Sequence, residues 1–568
     1  MVQIYYNELI YAKSPKKPAN RLLLSNERMP KTTLKKRNLC HDILSYTKGY
    51  CDISCLHGIS YVTNPKLRYY ERVIWFLIII VTTCTGLYIY SELTELYHTQ
   101  RLVTVVDDSL APAYIVPFPA IVICPRNRIN WSKILDAHQW FLPSNASAMT
   151  IDTFRKFFAN LGNFRFGKFT TLQPLIEADL NLTLLDNVDV KGVLEYASFT
   201  CDELFQYPCS WHLKSYNCCE LFSLERTESG FCFIFNSLVT EKDRERKRND
   251  RYYPYHTADI VEGSGLLFTV RLNESKATAN FTEINGVYVM VKQPELWNGV
   301  ARFVPYNTYS KLPVVPQLTL TANRARTVSP MERRCLFEDE TWHELYKKLP
   351  GVEYRRSNCY SRCRQEYLFN NCHCNLDMFF PQVESDNMTV CKAKDFKCLY
   401  KFRELFGNEY RIANKEDQYI ETTTNINESM ICNCLSSCNH LIYDTAYISE
   451  ALQDVNYSDP LKLVRLDVHY TSQYIRAYST ITRFTFVELL ANFGGIFGLF
   501  LGGSLMSLVE LVYYFTIGLY TYLLERGYTF NGWFSLPKSN AKVGIWKKRN
   551  KKERKLFERK PNNHHVYM

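Results

Sequence analysis

Two runs of apolar residues interrupt an otherwise mixed chain, and they set its architecture. The first, residues 73–91 (VIWFLIIIVTTCTGLYIYS), carries no charge and reaches about the minimum length for a membrane-crossing helix. Arg68, Glu71 and Arg72 precede it, as suits a membrane–water boundary. It starts too far into the chain, and lacks the small-residue cleavage site, to read as a signal peptide. The second run, residues 484–524, is longer and less uniform. It contains Glu488, Asn492 and Glu510, with glycines at 494, 495, 498, 502 and 503. Acidic groups are costly in hydrocarbon and tend to face a bundle interior or a water path. Glycines let the backbone approach a neighbouring helix or a passing ion. The second run therefore reads as a pore-lining helix.

Between the two runs lie mostly polar residues with short strand patterns. In GLLFTVRLN, Leu266, Phe268, Val270 and Leu272 share one face; in GVYVMVKQ, Val287, Val289 and Val291 do; in KLVRLDVHYT, Val464, Leu466, Val468 and Tyr470 do. YIVPFPAIVICPRN reads as a buried strand ending at Cys124. These strands are far apart in sequence, which predicts a mixed β core with inserted lobes. Residues 92–108 read as a polar connector. Residues 241–251 (EKDRERKRNDR) read as an exposed loop, with Arg248 to Arg251 a minimal processing pattern at a site open to nicking.

Charge and cysteine placement orient the chain. Residues 1–72 hold 13 Lys/Arg against 5 Asp/Glu, and residues 525–568 hold 12 against 3, so the middle of the chain is net negative. Positive loops stay on the cytosolic side, which puts both tails inside and the loop outside. Two spans make nucleic acid an implausible partner for the basic tails; anionic membrane lipid is the expected one. Sixteen of the 20 cysteines lie between Cys124 and Cys438, an even number suited to disulfides in an oxidising compartment. All eight glycosylation sequons fall there too, at Asn130, Asn145, Asn181, Asn273, Asn280, Asn387, Asn427 and Asn456. Close cysteine pairs such as Cys372 with Cys374, or Cys432 with Cys434, also fit zinc spacing, but the extracellular setting favours bridges between different stretches. No metal and no cofactor is expected, Cys51, Cys55 and His57 included. No catalytic constellation is present, so the chain is not read as an enzyme. The expected class is α+β: a β core with disulfide-stapled helical lobes outside, on a membrane domain of two helices.

Several separated segments, in order, resemble the degenerin/epithelial sodium channel (DEG/ENaC) superfamily, most closely its insect pickpocket-type members. These are His57-Gly58 in SCLHGISYV, FPAIVIC ending at Cys124, Thr227-x-x-Gly230-x-Cys232 followed by Phe235-Asn236, ten cysteines from Cys335 on, and LLANFGG with Gly502-Gly503-Ser504 in the second run. The resemblance covers about residues 50 to 515. It implies a trimer with a β-rich palm and helical finger and thumb lobes. The implied boundaries are a cytosolic tail at 1–72, a first span at 73–92, an extracellular domain at 93–482, a pore-lining span at 483–514 and a basic cytosolic tail at 515–568.

The resemblance also implies pairings and roles. The bridges are Cys124–Cys232, Cys335–Cys438, Cys359–Cys434, Cys363–Cys432, Cys372–Cys398 and Cys374–Cys391, leaving Cys201, Cys209, Cys218 and Cys219 for two more of unspecified pairing. His57 and Gly58 affect gating, Ala491 and Asn492 mark an outer gate, Gly502, Gly503 and Ser504 a selectivity filter, and Glu510 the inner mouth. A local break in helical hydrogen bonding at the filter would aim carbonyls at the permeant ion, while Gly494, Gly498 and Gly502 are expected on one helix face. The implied function is a subunit of a non-voltage-gated, sodium-selective, amiloride-sensitive cation channel. It is gated through its outer domain, in the plasma membrane of sensory or epithelial cells, as a homo- or heterotrimer with related subunits. The alternatives are a glycosylated two-span receptor of scavenger type and an accessory, non-conducting subunit. Departures are visible. The Trp that acid-sensing relatives carry before the first thumb cysteine is absent, their acidic-pocket carboxylates find no match, and the C-terminal tail has no Pro-Pro-x-Tyr.

Overall fold

The computed structural model describes residues 39–277, 285–382, 388–411, 429–452 and 461–526. Two compact units emerge, one from residues up to 91 together with those from 490 on, the other from 92 to 489.

The larger unit is built on two sheets. Along the first run the strands Leu102–Pro112, Tyr474–Thr482, Thr308–Thr321, Leu461–Tyr470, Leu266–Asn273, Phe205–Trp211 and Lys214–Tyr216; His440–Thr445 and Ile448–Ala451 add to Thr308–Thr321. In the second, the order is Phe222–Thr227, Gly230–Phe235, Ala120–Pro125, Gly286–Lys292, Ala301–Pro305. Side-chain alternation explains the pairing. Leu461–Tyr470 runs antiparallel to Leu266–Asn273 with Val464 opposite Val270 and Leu466 opposite Phe268, all four buried. Ala120–Pro125 is buried along its whole length, as a central strand covered on both faces must be. The apolar cluster shared by both sheets contains Phe118, Phe235, Phe268 and Tyr470. Burying each such aromatic contributes about 1.5–3 kcal/mol. In Gly286–Lys292, Val287 and Val289 enter this core, Val291 is only partly buried, and Met290 packs beside Cys124 and Cys232.

The helical lobes have their own core, in which Phe154, Phe157, Phe158, Phe379 and Phe396 are fully buried. Their helices begin at side-chain caps, Asn130 for Trp131–Phe141, Ser147 for Ala148–Ala159 and Asp189 for Val190–Ala197. Bridges then staple them. Cys359 and Cys363, four apart on the helix Arg356–Cys372, join Cys434 and Cys432, two apart on the facing stretch. Four helical residues rise about 6 Å and two extended residues about 6.6 Å, so the two rungs match in height. Cys335–Cys438, Cys372–Cys398, Cys374–Cys391 and Cys124–Cys232 are also closed. The four remaining cysteines of the unit pair as Cys201–Cys219 and Cys209–Cys218.

Several expectations need correction. Residues 241–251 are not a loop: Glu241–Asn249 is a helix, begun by a capping box between Thr240 and Asp243 and braced by Glu241 to Arg244 and Arg248. Nor are residues 92–108 a connector. The first apolar helix runs Tyr69–Thr99, past both ends expected for it, and Leu102–Pro112 pairs with Tyr474–Thr482, Leu102 opposite Thr482. Asn130 is buried. Its Oδ1 caps a helix and its Nδ2 donates to Glu203, which leaves no room for a glycan on that nitrogen. Asn145 and Asn181 are exposed and Asn273 is half-buried. Asn280, Asn387, Asn427 and Asn456 lie outside the described residues, as does most of each basic tail.

Candidate functional site

The second apolar run is helical but interrupted. Its first helix, Phe486–Leu501, starts at a reciprocal cap in which the Thr485 amide donates to Glu488 and the Glu488 amide to the Thr485 hydroxyl. Glu488, read from sequence as a costly acid in an apolar run, is thus also the cap of the helix. The helix stops at Leu501. Residues 502–504 are non-helical, and Leu505–Tyr513 restarts the course. Ser504 caps the restart, accepting from the Ser507 amide, so that amide is withdrawn from the Gly503 carbonyl that helical geometry would otherwise give it. The break coincides with the expected filter triplet.

Gly502 is required there for two reasons. Its φ is +64°, a left-handed conformation that side chains resist. A Cβ at this position would also overlap the His57 imidazole, and one on Gly503 would sit 3.3 Å from Leu56 Cδ2. The His57 amide donates to the Leu501 carbonyl at 3.0 Å, a group orphaned by the end of the helix. Gly58 follows with φ +85° and starts the short helix Ile59–Thr63. A Cβ on Gly58 would lie 3.2 Å from Ile79 on the Tyr69–Thr99 helix, where Tyr61 stacks on Trp75 at 4.7 Å. The segment around His57 is therefore wedged between the first apolar helix and the break in the second. Nearby, the two apolar helices meet through Tyr90 and Phe493, 4.7 Å apart, and through Gly86 against Phe500.

Other expected residues fall differently. Gly494, Gly498 and Gly502 do not form one continuous helical face, because Gly502 lies in the break. A Cβ added at Gly494 or at Gly495 would meet no described atom within 4 Å. Ala491, Asn492 and Glu510 are all exposed in the single chain. The helical course also passes the boundary expected at 514: a π-helical turn at Tyr514–Gly518 leads into Leu519–Glu525, because residues 515–524 remain largely apolar.

That turn holds a feature the sequence pattern alone did not reveal. Tyr46, on the helix Leu39–Ile53, donates its hydroxyl to the Tyr514 carbonyl at 3.0 Å and stacks on the Tyr514 ring at 4.4 Å. Tyr50 packs edge-on against Phe515, and Asp42 pairs with Arg526. Gly518 makes room, since a Cβ there would collide with the Tyr46 hydroxyl. Spacing carried a signal for this: Tyr46 and Tyr50 are four apart, and so are Tyr514, Gly518 and Tyr522, each set marking one helix face. Cys40, Cys51, Cys55 and Cys84 are free thiols.

Comparison with known proteins gives the context. The family model described as amiloride-sensitive sodium channel matches residues 50–514. Pickpocket protein 19 of Drosophila melanogaster is 29% identical over 467 residues, 81% of this chain and 88% of that protein. Sodium channel protein Nach of the same species is 23% identical, covering 82% of this chain and 86% of its own length. Degenerin mec-10 of Caenorhabditis elegans is 26% identical over a shorter stretch, 31% of this chain and 24% of that protein.

Proposed function

The chain belongs to the amiloride-sensitive sodium channel family, and on that premise we propose that it is a conducting subunit of a trimeric, sodium-selective, amiloride-blocked channel of the plasma membrane. Both tails are cytosolic in this reading, and the larger unit is extracellular. The observation that carries it is the interruption at Gly502–Ser504, held open by the His57 amide on the Leu501 carbonyl. Non-helical backbone at membrane depth is acceptable where it lines a wet path. Three copies of the break give a ring of carbonyl and hydroxyl oxygens that replaces part of an ion's hydration shell. Glu510 from three chains adds a negative ring that gathers cations and repels anions.

Gating in this reading comes from the outer unit, by ligand, force or protease. The strands that follow the first apolar helix and precede the second are paired, with Val103 opposite Ile481 and Val105 opposite Ser479. A displacement of that ladder is therefore passed along the chain to both helices. Cysteine substitution tests the filter assignment. Gly503→Cys is expected to react with a small cationic thiol reagent from the extracellular side and to change the ratio of sodium to potassium permeability. A variant that reaches the surface, conducts with unchanged selectivity and escapes modification contradicts the assignment.

A further inference from the structure

A cavity of about 800 Å³ opens in the larger unit, where the strand Gly286–Lys292, the strand His440–Thr445 and the start of the helix Arg356–Cys372 come together. That volume suits a small organic ligand. Its lining includes the apolar side chains of Val289, Val291, Leu312 and Ile442. Beside them stand Lys292, Arg302, Arg355, Arg356 and Arg364, with Arg302 directly across the strand pair from Val289, and among the described residues no Asp or Glu lines the cavity.

Three of those cations are already engaged. Lys292 donates to the Leu296 and Trp297 carbonyls, Arg355 pairs with Glu338 and Glu353, and Arg364 bridges Glu228 and Glu409. Arg302 and Arg356 are different. Among the described residues neither forms an ion pair with a carboxylate: Arg302 lies over the Tyr447 ring, and Arg356 donates to the Tyr360 hydroxyl at 3.1 Å. A second observation points the same way. Ser437 is 5% exposed and lines the cavity, yet its hydroxyl has no partner among the described residues. Buried hydroxyls are seldom left so.

We propose that this cavity binds a small organic anion with an apolar body, its carboxylate or equivalent head held by Arg302 and Arg356 and its tail laid against Val291 and Ile442. Guanidinium groups without a carboxylate partner match a planar anionic head through paired N–H donors. The Ser437 hydroxyl supplies one more donor. Binding here does not depend on what the pore conducts.

Photolabelling decides it. Full-length protein in lipid nanodiscs is exposed to an octanoate carrying a diazirine on its tail, irradiated and mapped by peptide mass spectrometry. The expected labels fall on peptides containing residues 287–302 or 436–445, compete away with octanoate, and survive the same concentration of octanol. Arg302→Gln combined with Arg356→Gln is expected to lower labelling at least tenfold, whereas the Arg302→Lys/Arg356→Lys pair, which keeps the charge but loses the paired donors, falls between that and the unaltered chain. Ile442→Trp, which fills the apolar end without altering charge, gives the same loss and keeps the test valid if the glutamine pair fails to fold. Labels confined to residues 69–99 and 486–525, equal competition by octanol, or labelling unchanged by both the Gln pair and Ile442→Trp would overturn the proposal.

Discussion

The His57 amide donates to the Leu501 carbonyl at 3.0 Å, 444 positions further along the chain. This one bond ties the segment before the first apolar helix to the point where the second loses its helical form. Through it the His-Gly pair satisfies a carbonyl that the break leaves without a helical partner.

Gly502 is the residue least able to change. A side chain there adopts a left-handed backbone at a cost of roughly 1–2 kcal/mol and also displaces His57. Gly502→Ala is expected to reach the surface and lose sodium current by at least about tenfold, read by whole-cell recording with surface biotinylation.

Tyr46 and Gly518 form one device at the other end. Removing the hydroxyl with Tyr46→Phe forfeits a hydrogen bond worth about 0.5–1.5 kcal/mol, and Gly518→Ala expels the same hydroxyl sterically. Both variants are therefore expected to shift open probability in the same direction. The double variant should add nothing to Gly518→Ala alone, because the contact is already lost. Additive single-channel effects would separate the two residues.

How much of this is legible in the sequence differs by element. The strands with alternating residues, such as 266–272 and 464–470, can be read because a half-buried strand imposes period two on its sequence. The triplet 502–504 stands out through its resemblance to a family filter tract, but small residues also suit close helix packing, so the break itself shows only in the backbone, where Gly502 turns left-handed. The helix at 241–249 is not, because a chain of alternating charges with no apolar face is equally at home in a loop. Its order comes from the Thr240–Asp243 cap and ion pairs with Glu241. The Tyr46–Tyr514 contact is hidden by sequence separation. Asn130 misleads because a sequon says nothing of whether its amide is already used.

Ala491 is small and exposed on the Phe486–Leu501 helix. Under the proposed function, with Ala491 at an outer gate, a larger side chain there would crowd neighbouring pore helices. Ala491→Val is expected to give a standing inward current in oocytes, measured as holding current that vanishes on sodium removal. Silence from an assembly that otherwise conducts and is present at the surface would contradict an outer gate at this position.

The Cys363–Cys432 rung closes a span of 69 residues. Replacing both cysteines with alanine is expected to cost about 2–4 kcal/mol of stability and to lower the thermal midpoint of the purified protein by several degrees. Reduction with dithiothreitol should then lower the variant's midpoint less than that of the unaltered chain, since one of its bridges is already gone.

Glu203 gives the outer unit an acid limit. Burial acts to raise its pKa, but Lys276, the Thr200 amide and Lys133 outweigh it and hold the carboxyl at about 2. The folded value lies below the unfolded one, so its stabilising share is complete above about pH 4.5 and is lost as pH falls toward 2. Thermal melts across that interval should therefore fall less steeply for Glu203→Gln than for the unaltered chain. An identical slope would remove Glu203 from the acid response.

The central claim is that copies of this chain line a sodium path. Replacing extracellular sodium with N-methyl-D-glucamine, in oocytes expressing the chain alone and with related subunits, tests it most directly. The predicted result is loss of inward current and a negative shift of the reversal potential in at least one of the two assemblies, with Gly503→Cys altering that shift. Surface-expressed protein whose presence leaves current and reversal potential unchanged in both assemblies would contradict it.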